Sequence, residues 1–475
     1  MLFLRFSFIL LLLGGFFTGE AQNRWSLQKC VTYATENSLA IKQSMAQIRN
    51  AELTLKQNQL SRLPNLNAGA SGGYQFGRTI DPTTNSFALE GIGFNSYSLN
   101  TGIQVFGGGI IKQNILRSKY ELEAGKLEAQ ATENDLGLQV AAAYLNVLLA
   151  DEQLVIAKAR LQQSQNQLNQ IIRFIEVGAR PINEKYDFEA SLALDQQALI
   201  EAENFLIRSN LILRQFLLIP DGMPFEIEKP EIKVPEDIDV DGISANELFV
   251  GAIDILPQIK AAEKRLQAAS IGILQAKAGL LPTLSLFASL RSNFSNQARD
   301  IIGYNAVKVK QNVFINNVPV ALEVEQNLPT FAKKTYFDQI TDNFGQSLGL
   351  QLNIPIYNNK QARINIERAQ LGVISNEVAK EQARQRLRTD IEQTLTAVRA
   401  SQRTLQASNL SLKASTAAFE NAQKRYELGA INSLELNTAR TNMERAKSDR
   451  IRARFQHLFN LKQVDFYQGK PITLE

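Results

Sequence analysis

The chain is written twice, and this restricts it to folds built from two copies of one plan. Ile41-Lys42, Ala51, Gln57 and Leu63-Pro64-Asn65-Leu66 recur 218 positions later as Ile259-Lys260, Ala269, Gln275 and Leu281-Pro282-Thr283-Leu284. Leu99, Ile103, Val105 and Asn114-Ile115-x-Arg117 recur at an offset of 251 as Leu350, Ile354, Ile356 and Asn365-Ile366-x-Arg368. The same offset joins Glu176-x-Gly178-Ala179 to Glu427-x-Gly429-Ala430. The second copy therefore holds 33 extra residues between its Leu-Pro and its next matching segment. A period this long is a duplicated domain, not a solenoid.

Each copy reads helix, strand, loop, strand, very long helix, turn, helix. From about Glu36 to Arg62, apolar residues recur at three- and four-residue spacing, which predicts an amphipathic helix ended by Pro64. About Lys112 to Ile172 and Lys360 to Lys424 contain no proline and are rich in good helix formers. Roughly 60 helical residues reach about 90 Å. Gly178 and Gly429 suit a chain reversal with positive φ, and Pro181 suits the first turn of an outgoing helix.

Four segments have period two instead. Leu66, Ala68 and Ala70, then Leu99, Thr101, Ile103 and Val105, alternate with small or polar residues. Leu284, Leu286, Ala288 and Leu290, then Leu348, Leu350 and Leu352, do the same. This pattern predicts two hairpins, about 65–106 and 283–356, of transmembrane barrel strands. A half-buried sheet in a soluble domain is the competing reading of any one of them. Four strands cannot close a barrel, since such barrels begin at about eight, and open edges are not tolerated in lipid. The chain is thus expected to complete its barrel with further copies. The intervening segments, Gly77–Asn95 and about Asn293–Asn343, are read as loops.

Arg5, the apolar run Phe6–Phe17 and the small residues Gly19 and Ala21 form a signal-peptide pattern, with cleavage expected after Ala21. The expected organisation is a signal peptide at 1–21 and a first repeat at 22–219. An acidic, Pro-rich connector at 220–244, a second repeat at 245–465 and an extended C-terminal segment, 466–475, follow. With 51 basic and 47 acidic residues, nucleic acid is not indicated as a partner. Cys30 stands alone, and the single histidine, His457, lies in a helical stretch. Neither a metal-ligand spacing nor a nucleophile motif accompanies them, so no catalytic residue, cofactor or metal is assigned. A periplasmic coiled-coil scaffold without a barrel is the competing class; it explains the helices but not duplicated amphipathic strands.

The duplicated helix–Leu-Pro–strand, the junctions Val105-Phe106-Gly107-Gly108-Gly109 and Ile356-Tyr357-Asn358-Asn359, and the turns Glu176-Val177-Gly178-Ala179 and Tyr426-Glu427-Leu428-Gly429-Ala430 resemble TolC-like outer-membrane factors. Trp25-Ser26-Leu27-Gln28-Lys29-Cys30 resembles the start of their first helix. The resemblance implies a mainly α fold with β: a duplicated long-helix periplasmic barrel plus a transmembrane β-barrel of four strands per subunit, closed by trimerisation. It implies an outer-membrane conduit for efflux or secretion, set in lipid. A periplasmic adaptor and an inner-membrane transporter are its expected partners. The tip turns, about 174–183 and 425–434, become the docking points, through Val177, Gly178, Ala179, Leu428, Gly429 and Ala430. Glu184 and Glu435, each six residues beyond a turn glycine, become aperture residues, and Tyr426 a residue that holds the tip closed. Ile431 and Thr438 depart from the pattern of relatives, where charged groups stand.

Overall fold

A computed structural model describes residues 24–80, 85, 87–88, 91–230, 242–315, 318–471 and 473. The expected signal peptide and the middle of the acidic connector lie outside the described residues. Two compact units emerge, each drawing on both repeats: Leu53–Lys119 with Ala268–Val373, and the remainder of the chain.

The helical unit takes its length from α3 (Ile110–Glu176) and α8 (Gln361–Glu427), each of 67 residues, or about 100 Å of helix. They fold back into α4 (Asn183–Leu217) and α9 (Ser433–Tyr467). The helix expected from about Glu36 to Arg62 is α2 (Leu39–Leu60), and a separate helix, α1 (Leu27–Asn37), precedes it. Ser38 adopts an extended ψ of 130° between them, while the Asn37 side chain bonds back to the Tyr33 carbonyl. The second repeat breaks likewise, at Leu256 between α5 (Ala245–Ile255) and α6 (Pro257–Ala278). There the cause is Pro257, which excludes helical geometry from the residue before it. The C-terminal segment also differs from expectation. Phe466 and Tyr467 complete α9 rather than extend, because both pack against the second core.

Two related cores hold this unit. In the first, Trp25, Leu27 and Cys30 meet Val140–Leu148 of α3, Leu213 and Leu217 of α4, and Ile451, Phe455 and Leu458 of α9. Fully buried Tyr144 donates to the carbonyls of Trp25 and Glu228, fastening the connector to α1. Burial pushes the Cys30 thiol up to about 12, so it behaves as a small apolar residue. In the second core, Leu248, Phe249 and Leu256 meet Leu387, Ile391, Leu395 and Val398 of α8. One stretch of α3 is long and apolar enough to cross a membrane, yet half of it is buried within the chain. Packing around Val140–Leu148 accounts for its composition.

The other unit contains β1 (Asn65–Gln75), the short pair β2 (Thr79–Ile80) and β3 (Phe87–Ala88), and β4 (Ile92–Phe106). β5 (Thr283–Ser295), β6 (Arg299–Ile315), β7 (Val318–Lys333), α7 (Tyr336–Asp342) and β8 (Gly345–Asn353) follow. The sheet order is β1-β4-β5-β8, antiparallel throughout. Its register aligns the apolar positions: Ala68 faces Leu99, Leu99 faces Leu290, and Leu286 faces both Ile103 and Leu350. Asn67, Asn100 and Ser289 line the opposite face, where the Ser289 hydroxyl bonds to Asn100 at 2.7 Å. Leu348, Leu350 and Leu352 remain exposed on the outer strand. A single apolar sheet face left bare is suited to lipid.

The second interstrand segment is not a loop. β6 and β7 form a long antiparallel ribbon in which Lys308 and Lys310 face Glu325 and Glu323, and Val309 faces Val324. Period-two alternation of Val307, Val309 and Val313 with charged or polar residues is the signal that the loop reading passed over. After the ribbon, α7 is capped by Thr335, and buried Gln339 bonds to both the N–H and the carbonyl of Ser295.

Candidate functional site

The two helix reversals are built alike. The N–H of Gly178 bonds to the Ile175 carbonyl and that of Ala179 to the Phe174 carbonyl. Gly429 and Ala430 repeat the pair on Tyr426 and Arg425. Both are Schellman caps, which require a left-handed residue after the helix; Gly178 has φ +75° and Gly429 φ +74°. Next to each glycine a large apolar side chain is bare: Val177 is 76% exposed and Leu428 84%.

Behind the turns the two repeats are fastened to each other. Phe188 of α4, Leu168 and Ile171 of α3, Phe419 and Tyr426 of α8, and Leu436 of α9 form a small apolar cluster. The Tyr426 hydroxyl donates to the Glu184 carboxylate at 2.5 Å. Arg180 lies 4.4 Å from the centre of the Tyr426 ring, donates to the Tyr426 carbonyl and pairs with Glu184 at 3.6 Å. Burial, and then the bond to Glu184, raises the pKa of the Tyr426 phenol, so it remains a donor. A cleft of about 450 Å³ opens beside this group, lined among others by Phe174, Arg180, Phe188, Tyr426 and Leu436.

The expected equivalence of Glu184 and Glu435 does not extend to their surroundings. Glu184 is held by Tyr426 and Arg180 with its side chain 13% exposed. Glu435 is exposed in the first turn of α9, where its N–H bonds to the capping side chain of Asn432. Reading the sequence missed the groups beside them. Ser433 donates to Asp187 at 2.6 Å. Deeper in, Asp195 is fully buried between Arg160 (2.5 Å) and Arg440 (2.9 Å), and accepts from Ser164 as well. Arg440 also reaches Ser164 and Gln167 of α3. Burial lowers the Arg440 pKa and the Asp195 charge opposes that shift. Arg454 of α9 pairs with Glu152 of α3 further along. The only sequence signal for the buried pair is a carboxylate on the inward stripe of α4.

The sequence profile of outer membrane efflux proteins matches residues 31–217 and 252–469. Among solved structures, CusC aligns over 94% of this chain and 92% of its own, with a TM-score of 0.73 and 16% identity. A membrane protein from Pseudomonas aeruginosa aligns over 94% and 91%, with a TM-score of 0.72 and 20% identity. The Campylobacter jejuni CmeC outer membrane channel aligns over 93% and 85%, with a TM-score of 0.71 and 17% identity. No curated protein matched. These likenesses establish the fold, and the profile match covers both repeats: the chain belongs to the outer membrane efflux protein family and is an outer-membrane channel subunit that extends into the periplasm.

Proposed function

We propose that three copies close one twelve-stranded barrel and continue it as a helical periplasmic conduit, which passes cargo without catalysing a reaction. The observation that carries this reading is a four-stranded sheet with β1 and β8 as unpaired edges. Four strands fall short of the roughly eight that a barrel needs. Successive strands are antiparallel, so β1 and β8 run in opposite directions and a second copy can continue the same pattern. The family resemblance supports three as the number of copies.

In this reading the turns at Gly178 and Gly429 form the periplasmic tip. Val177, Ala179, Leu428 and Ala430 offer apolar contact to an adaptor protein, which joins the conduit to an energised inner-membrane transporter. Tyr426, Glu184 and Arg180 hold α8 against α4 in the closed tip. Glu435, exposed at the start of α9, supplies negative charge at the aperture and favours cations. A scaffold lacking a barrel leaves the apolar sheet face without a purpose. Sedimentation of the detergent-extracted protein tests the reading: a particle containing three chains is expected, and a single chain overturns it.

A further inference from the structure

The duplication makes a seam within the chain the template for a seam that one chain leaves open. α3 and α8 begin and end 251 positions apart, and the outgoing helices keep the same correspondence. On α9, His457 and Asn460 bond to Ser401 and the Ala397 carbonyl of α8. Their α4 counterparts, Leu206 and Ser209, also turn inward.

α9 has a second buried face. Ile451 and Leu458 pack into the first-repeat core, and between them Arg454 pairs with Glu152 of α3. The matching α4 residues are Ile200, Ile207 and Glu203. All three are exposed, the isoleucines by 57% and 64%. The α8 residue matching Glu152 is Arg403, also exposed, followed by the small exposed residues Thr404, Ala407 and Ser411 along the same side. Among the described residues neither Glu203 nor Arg403 has an ion-pair partner. The surrounding helices carry matching charge: α4 has six acidic and three basic residues, α8 eleven basic and seven acidic.

We propose that α4 of one copy docks along α8 of the next, as α9 docks along α3 within the chain. Ile200 and Ile207 lie over the track of Thr404, Ala407 and Ser411, and Glu203 pairs with Arg403 of the neighbouring copy. The proposal rests on the trimer reading and adds its seam. The charges are reversed relative to the internal pair, and the reversal selects the neighbour. Docking α4 on another copy's α3 sets Glu203 against Glu152, and docking α9 on another copy's α8 sets Arg454 against Arg403. Like repeats repel, unlike repeats attract, and the ring must alternate.

Two cysteine variants and a charge swap test the seam in outer-membrane fractions. Cys30 is buried, so added thiols report alone. Glu203→Cys with Arg403→Cys is expected to give covalent dimers and trimers that reductant removes, whereas Glu203→Cys with Glu152→Cys gives none. Glu203→Arg should reduce the fraction surviving as trimer on an unheated gel about tenfold, and adding Arg403→Glu should restore it. A normal trimer that neither cross-links at 203 and 403 nor responds to Glu203→Arg overturns the seam and leaves the trimer standing. A monomeric wild-type protein overturns both.

Discussion

The hydroxyl of Tyr426, on α8, donates to the carboxylate of Glu184, on α4, across 242 positions of sequence. The bond ties the second repeat to the first one turn behind the glycine reversals, with Arg180 stacked on the ring to complete the contact. A hydrogen bond to a charged acceptor contributes about 1.5–3 kcal/mol. Tyr426→Phe removes the bond and keeps the ring. Bilayer recordings should therefore show at least a roughly tenfold rise in the open fraction. An unchanged open fraction would remove Tyr426 from the closing contact.

Arg440 and Asp195 form the deeper tie, at 2.9 Å and with both side chains buried. Removing one member leaves the other charge unpaired away from water, at a cost of about 3–5 kcal/mol. Arg440→Ala should lower the apparent melting temperature of the detergent-solubilised protein clearly more than substitution of an exposed pair such as Arg49 with Glu52. Equal shifts for the two would show that the buried pair contributes no more than a surface one.

His457 is fully buried, with Nδ1 on the Ser401 hydroxyl and Nε2 unpartnered. Burial lowers its pKa below the ordinary value. The folded state therefore disfavours the protonated ring, and protonation favours unfolding. Above about pH 6.5 the ring is neutral in both states and costs nothing. As pH falls below 6.5 toward the depressed folded value, stability is lost. His457→Gln should flatten that part of a melting-temperature profile; the same slope in both proteins would exclude His457 as its source.

Much of this architecture is legible in the sequence because the duplication presents each signal twice. Leu63-Pro64 and Leu281-Pro282 mark the strand starts, and Gly178 and Gly429 mark the reversals where only a left-handed residue fits. Contacts that depend on helix rotation are not legible. Glu184 and Glu435 stand in equivalent positions, yet one is clamped by Tyr426 and Arg180 and the other faces solvent. Their difference has two sources: the opposite repeat places Tyr426 beside only Glu184, and within the turn Arg180 precedes Glu184 where Ile431 stands before Glu435. The β6–β7 ribbon was hidden for another reason: Pro319 and Pro329 punctuate β7, and proline in a strand reads as a break.

In the proposed assembly, copies of this chain close one another's sheet. The internal ladder predicts the closing register. Asn100 of β4 faces Ser289 of β5, and their counterparts in the other repeats are Gln351 of β8 and Ser71 of β1. The most direct measurement is non-reducing electrophoresis of outer membranes carrying Ser71→Cys and Gln351→Cys together. Closure between copies predicts a reducible ladder ending at three chains, with neither single variant producing it. A double variant that stays monomeric while folded in the membrane would contradict it.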